Sequence, residues 1–242
     1  MAKTAIITGA SRGIGRAIAI DLVRHGLQVV INYAGRASEA DSVVEEIEKL
    51  GGKAIAVQAD ISLTSDSTRL FDEAERFYGA IDVLINNAGV ILYKTIVETE
   101  DEEFDRLMAV NVRGTFNTLK LAATRLNQGG RIVNFSSSVV GLSLPTYATY
   151  SASKSAVESM TRVFSKELRG KHITVNAVAP GPTGTDLFLK GKTAESIDHF
   201  AKMNPLERLG TPEDIANLVT FLVSEQGGWI NGQIIRANGG MV

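Results

Sequence analysis

Short, almost wholly apolar runs alternate along this chain with longer stretches in which apolar residues recur every three to four positions. Val29-Val30-Ile31 typifies the first kind, and Ala17, Ile18, Ile20, Leu22 and Val23 typify the second. Apolar runs bounded by turn residues predict buried strands, and the helical recurrence predicts amphipathic helices. Strands are expected at about 4–8, 28–32, 53–57, 81–86, 131–135, 173–178 and 230–236. Helices are expected near 13–25, 38–50, 65–78, 101–126, 149–169 and 212–224. Gly51-Gly52 and Gly129-Gly130 are expected to cap helix C-termini.

Regular strand–helix alternation with nearly all-apolar strands implies an α/β fold: a single-domain, doubly wound parallel sheet of about seven strands with helices on both faces. No linker or internal repeat divides the chain, so residues 1–242 are expected to form one domain. The rhythm breaks at about 184–211, a long insertion of the kind that forms binding elements or lids.

Composition adds mainly exclusions. Hydrophobic residues make up 44% and charged residues 21%, ordinary globular values. A net charge of −2 with dispersed Lys and Arg argues against nucleic acid as a partner. The chain has no cysteine, and its histidines, His25, His172 and His199, are too scattered to form a metal site. The first strand begins at about Thr4, and no apolar run approaches the ~20 residues needed to span a bilayer. A cytoplasmic protein without membrane attachment is the expectation.

The densest chemical signal is Thr8-Gly-Ala-Ser-Arg-Gly-Ile-Gly15, placed where the first strand gives way to a helix. Such a turn aims backbone N–H groups and the positive end of a helix at whatever lies above it, which suits a diphosphate. Glycine is needed where a side chain would block that approach. Further on, Tyr150 and Lys154 stand four residues apart on an expected helix, so phenol and ammonium share a face. A nearby ammonium favours phenolate and lowers the phenol pKa, which makes Tyr150 a competent proton donor or acceptor. Ser136, Ser137 and Ser138 follow the fifth strand at the carboxyl edge of the sheet, where open α/β folds bind ligands.

TGASRGIG, Asn86-Asn87-Ala88-Gly89, Asn111, the serines, Tyr150 with Lys154, and Pro180-Gly181 occur in this order along essentially the whole chain. In that order and spacing the sequence resembles the short-chain dehydrogenase/reductase family, whose fold is of the Rossmann type. The resemblance implies that Gly9, Ser11, Arg12, Gly13, Ile14 and Gly15 line the diphosphate and adenosine ribose of a dinucleotide. Asp60 and Ile61 would flank the adenine. Asn87, Ala88 and Gly89 would support the ribose and the central strands. Tyr150 would protonate a carbonyl oxygen, Lys154 would bond the nicotinamide ribose while lowering the tyrosine pKa, and Asn111 would hold a water in a proton relay. Pro180, Gly181, Thr183 and Thr185 match the loop that holds the nicotinamide amide. The partner serine is Ser137 by the usual spacing from Tyr150, or Ser138 if the intervening loop is one residue short.

The second strand ends in Asn32-Tyr33-Ala34 followed by Gly35-Arg36, without the acid that would bond an adenosine 2′-hydroxyl. Arg12 and Arg36 can instead pair with a 2′-phosphate, which favours NADP(H). The expected activity is NADPH-dependent reduction of a small-molecule carbonyl, with a free, apolar cyclic or aromatic ketone favoured. Asp186-Leu187-Phe188-Leu189, Leu92, Tyr93, Pro145 and Tyr147 would form an apolar pocket for it. The alternatives are a 3-oxoacyl-carrier-protein reductase and, from another class, a non-catalytic nucleotide sensor. The chain's C-terminal segment resembles both 3-oxoacyl-carrier-protein and hydroxynaphthalene reductases. A carrier protein is acidic, and of the cations that would greet it Arg125, Arg131, Arg169 and Lys171 are nearby. The resemblance also implies a homotetramer, with Ala152, Ala156, Ser159 and Val163 forming a small or apolar helix face.

Overall fold

The computed structural model describes residues 2–242. Seven strands form one parallel sheet: β1 (Thr4–Ile7), β2 (Gln28–Tyr33), β3 (Ala54–Gln58), β4 (Ile81–Asn86), β5 (Leu126–Phe135), β6 (Thr174–Pro180) and β7 (Ile234–Ala237). Their order is β3-β2-β1-β4-β5-β6-β7, so the direction of winding reverses between β1 and β4. In an open α/β sheet the crevice beyond the carboxyl ends of the strands at such a reversal is where ligands bind.

Period-two alternation along the strands feeds two cores. Ala5, Ile7, Val29, Ile31, Val83 and Ile85 face one side, against α1 (Gly13–Arg24), α2 (Ala37–Lys49) and α10 (Pro212–Val223). Ile6, Val30, Leu84, Ile132 and Val175 face the other, against α3 (Thr64–Tyr78), α5 (Gly114–Arg125) and the C-terminal end of α7 (Ala148–Glu167). Both faces of each central strand are therefore dry, which is why these strands read as continuous apolar runs. No helix among the described residues is long and apolar enough to cross a membrane.

Five features depart from the expected elements. The helix expected over 101–126 is two helices, α4 (Asp101–Met108) and α5, joined by a π-helical turn at Ala109–Arg113. Periodicity alone does not show one extra residue in a turn, and such turns cluster at functional sites. Gly129-Gly130 does not cap a helix. The chain leaves α5 in an extended conformation at Leu126, which pairs with Ile81. The register then shifts before Arg131 pairs with Val83, and Gly129, at φ 80°, turns through the excursion. Gly51-Gly52 does cap its helix: Gly51 at φ 78° and the bonds Gly51 N–H to Glu48 O and Gly52 N–H to Ile47 O form a Schellman motif.

The last strand is shorter than expected, because Asn231 and Gly232 are spent tying the chain to Val175 before β7 begins. The insertion carries two helices, α8 (Asp186–Leu189) and α9 (Ala194–Lys202). Its base is closed by a bridge between Thr183 and Gly210, with Gly184 N–H on Gly210 O and Gly210 N–H on Pro182 O, both at 2.9 Å. A further short helix, α6 (Val139–Leu142), follows the serines.

Candidate active site

Two hollows meet above the carboxyl edge of β1, β4 and β5. The first lies over the glycine turn. Gly9 and Gly13 hold φ values of 62° and 55°, which side chains rarely adopt. A Cβ on Gly9 would lie 2.9 Å from the Ala88 α-carbon, and one on Gly15 would lie 2.5 Å from Asn87 Nδ2. The turn is fastened to β4 by Thr8, whose hydroxyl accepts the Asn87 and Ala88 N–H groups at 3.0 Å each. Asn87 Nδ2 returns bonds to the Thr8 and Gly9 carbonyls. No side chain caps α1 and no acid lies in its first turn, so its N-terminal N–H groups and its dipole are left for an anion. Asn86, the other half of the asparagine pair, points the opposite way into a buried chain of amides and hydroxyls through Thr118, Asn134 and Thr161.

Ser11, Arg12, Gly13, Ile14, Tyr33 and Arg36 line this cleft, as do Asp60, Ile61 and the Asn87–Gly89 turn. Asn32 also borders it, but its amide is consumed: Oδ1 accepts from Gly9 N–H and Nδ2 donates to the Val57 and Ala59 carbonyls. It braces the glycine turn and has no donor left for a nucleotide, a role that its place at a strand end did not disclose. The Asp60 carboxylate is likewise engaged, accepting from the Ser62 N–H and hydroxyl. Two charged residues outside the sequence expectation also line the cleft, Glu39 and Arg106. Glu39 pairs with Arg36 at 2.6 Å. It sits three residues into the next helix, so inspection of the strand end alone missed the acid that faces Arg36. Arg12 is exposed and has no ion-pair partner among the described residues.

The second hollow holds the reactive groups and encloses about 920 Å³, counting its open mouth. Ser137, Tyr150 and Lys154 all line it. Ser137 is partly exposed and in polar contact with the Tyr150 hydroxyl, which favours the ionised phenol. Ser138 is buried, with its hydroxyl donating to Ala179 O at 3.2 Å and accepting from Asn238 Nδ2 at 3.0 Å. Lys154 is also buried and donates to Phe135 O at 2.8 Å.

The electrostatics differ from expectation. Burial pushes Tyr150 up to about 12, the Ser137 contact opposes this, and the Tyr147 phenol adds to it. The Lys154 ammonium, 5.7 Å from the Tyr150 ring centroid and engaged with Phe135 O, does not offset that burial. Burial in turn pushes Lys154 down to about 8.

Asn111 sits in the π-helical turn, fully buried. Its amide grips Val90 by N–H and carbonyl, at 2.8 and 2.9 Å, and donates to Ser153 Oγ at 3.1 Å. One lone pair of Oδ1 is left. Asn111 Oδ1 and Lys154 Nζ converge over Gly89, where an added Cβ would lie 3.3 and 3.4 Å from them.

The walls of this hollow are apolar. Tyr93, Tyr147, Leu187 and Phe188 line it; Leu92, Pro145 and Leu189 do not. Their neighbours Ile91 and Leu144 line it instead, Leu144 standing in a turn between the left-handed Ser143 and Thr146. Asp186 borders the dinucleotide cleft, and Phe200 of α9 supplies an aromatic wall that the sequence reading missed. Pro180, Gly181, Thr183 and Thr185 line the second hollow; Thr185 also borders the first, and its Cγ2 would lie 3.5 Å from a Cβ on Gly13. Among the described residues no group of three or more His, Asp or Glu side chains is placed to hold a metal ion.

Residues 9–242 match the family described as enoyl-(acyl carrier protein) reductase. A short-chain type dehydrogenase/reductase of Picea abies is 46% identical over 99% of this chain and 92% of its own. An NADPH-dependent aldehyde reductase-like protein, chloroplastic, of Arabidopsis thaliana is 45% identical over 99% of this chain and 94% of its own. Among solved structures, angucycline C-6 ketoreductase LanV with bound NADP superposes with a TM-score of 0.94 at 39% identity. That match covers 99% of this chain and 95% of LanV.

Proposed function

The chain belongs to the short-chain dehydrogenase/reductase family, and on that premise we propose that it reduces an apolar cyclic or aromatic ketone with NADPH. The observation that carries this reading is the meeting of Ser137, Tyr150 and Lys154 where a dinucleotide-shaped cleft opens into an apolar cavity. The similarity to an angucycline ketoreductase with bound NADP supports both the ketone and the cofactor.

NADPH bound in the cleft supplies the hydride. The residues that would hold it are the uncapped start of α1, the Gly9–Gly15 turn and Thr185, with Arg12 and Arg36 on the 2′-phosphate. Tyr150 and Ser137 bond the substrate carbonyl oxygen, and Tyr150 gives it a proton. A phenol whose proton is held up to about 12 carries that proton at neutral pH and releases it only as negative charge develops on the carbonyl oxygen. The Lys154 ammonium, 5.7 Å from the Tyr150 ring centroid, stabilises the phenolate that this leaves. Asn111 is a positioning residue that fixes Val90 and presents its remaining lone pair beside Lys154 to a relay water.

The carrier-protein alternative needs a basic docking face. Arg125 is tied to Asp72 and Glu75, Arg131 to the Gly129 and Gly130 carbonyls, and Lys171 to Ala123 O. A nucleotide sensor would have no use for a serine–tyrosine–lysine cluster. The deciding assay compares NADPH-dependent kcat/KM for a bicyclic aromatic ketone with that for an acetoacetyl-carrier-protein, in wild type and Tyr150→Phe. The bicyclic ketone should win, and Tyr150→Phe should bind NADPH normally yet turn over ~10²–10⁴-fold more slowly. A large preference for the carrier-bound substrate would promote the alternative, and near-wild-type turnover of Tyr150→Phe would sink the assignment of the tyrosine.

A homotetramer is part of the same reading. Ala152, Ser159 and Val163 of α7 are exposed, as are Phe104 and Phe116 on α4 and α5, an apolar face that a single chain leaves uncovered. Light scattering at micromolar concentration should give four chains; a stable monomer overturns it.

A further inference from the structure

Lys192, between α8 and α9, stands at the edge of the substrate cavity and has no part in the roles above. Its ammonium lies 4.4 Å from the Tyr93 ring centroid and 4.5 Å from that of Phe188. It donates to Phe188 O at 2.8 Å and to the Tyr93 hydroxyl at 3.1 Å. An ammonium can only donate, so the Tyr93 oxygen accepts there and its own proton must point elsewhere.

The phenol beside it is that of Tyr147. The two rings meet edge to face, 5.2 Å between centroids and 87° between planes, with their hydroxyls in polar contact. An accepting Tyr147 oxygen leaves the Tyr147 proton for the cavity that both rings line. In such a row the charge at its head fixes the order of donors, and the last donor faces the ligand. A charged donor at the head strengthens each bond down the row. Tyr147 is the N-cap of α7, three residues before Tyr150, and both side chains line the same cavity.

Resting on the ketone reading above, we propose that Lys192, Tyr93 and Tyr147 form a donor row that binds a second acceptor oxygen of the substrate. The preferred ketones carry another carbonyl-type oxygen on the same ring system as the carbonyl reduced at Tyr150. An otherwise apolar cavity gives this single polar row the power to set orientation, because a substrate lacking the second oxygen leaves the Tyr147 donor unmatched.

The probes are a non-enolisable indane-1,3-dione and the matching indan-1-one. Binding to the protein–NADP⁺ complex is measured by calorimetry, and NADPH-dependent turnover separately. Tyr147→Phe keeps the ring packing, and Lys192→Met keeps the stem. Wild type should bind the dione about ten-fold more tightly than the monoketone, the size of one net hydrogen bond. Tyr147→Phe should erase that preference while holding monoketone affinity within about two-fold, and Lys192→Met should reduce it. The subsite is overturned if wild type shows no preference or if Tyr147→Phe keeps it. Turnover judges the other claim: a dione preference that vanishes in Tyr147→Phe, with neither ketone reduced, leaves the subsite standing and removes the reductase reading.

Discussion

The Lys154 ammonium lies 2.8 Å from the Phe135 carbonyl, so the lysine is held by the strand end that also delivers Ser137. Its surroundings hold its pKa near 8, and burial is the cause. The kcat/KM for NADPH, which reports the free enzyme, should therefore fall as pH rises through about 8. Lys154→Met should flatten that limb at a lower level. The sign of the stability effect is opposite. The unfolded lysine keeps its proton to about 10.4, so between about 8 and 10 the unfolded chain binds more protons and stability should rise with pH. Urea titrations at the two ends of that window read it directly, with Lys154→Met losing the gain.

Ser137 and Ser138 should separate cleanly. Ser137→Ala removes the group beside the Tyr150 hydroxyl and should lower kcat by about 10²-fold with little change in melting temperature. Ser138→Ala strips one of the two acceptors of Asn238 Nδ2 and should cost about 1–3 kcal/mol of stability. The opposite assignment would show as a catalytic loss confined to Ser138→Ala.

Cofactor choice rests on an unequal pair of cations. Arg12→Ala should cost NADPH roughly 1.5–3 kcal/mol, or one to two decades of preference over NADH. Glu39→Gln releases Arg36 from its 2.6 Å ion pair. The pair is exposed, so the gain in NADPH affinity should be modest, up to about five-fold and smaller at high salt. A wild type that prefers NADH contradicts both expectations.

Gly15→Ala tests how closely the turn is packed. Alanine is the better helix former, yet its Cβ would lie 2.6 Å from Gly9 O and 2.5 Å from Asn87 Nδ2. Overpacking of this kind costs about 1–3 kcal/mol, and NADPH binding should weaken with it. Gly35→Ala, where nothing lies within 4 Å, should leave the melting temperature unchanged.

The strands and their order of helices are legible in the sequence because each central strand is dry on both faces and each helix on one. The glycine turn, Tyr150 and Lys154 are legible because their chemistry needs fixed spacings. What the sequence hides are relations across the fold. Glu39 meets Arg36 only once α2 turns back over the strand end, and Asn32 has its amide drawn inward by Gly9 and Ala59. Lys154 is near enough in sequence to tune Tyr150, but Phe135, nineteen residues away on β5, holds its ammonium. The choice between Leu92 and Ile91 as a cavity wall turns on the path of an irregular loop, which no local pattern marks.

The bridge between Thr183 and Gly210 has a consequence for how this protein changes over time. The chain departs from the sheet and returns to it at one point, so everything between is a cassette plugged into a fixed socket. Loop closure entropy grows only slowly with length, and the socket's own bonds, Gly184 to Gly210 and Gly210 to Pro182, are all backbone. Beyond Thr185 to Leu187, which border the dinucleotide cleft, such a cassette can be lengthened, shortened or traded for a relative's without disturbing the glycine turn or Tyr150. Substrate preference and cofactor chemistry are thereby free to evolve at different speeds on one scaffold.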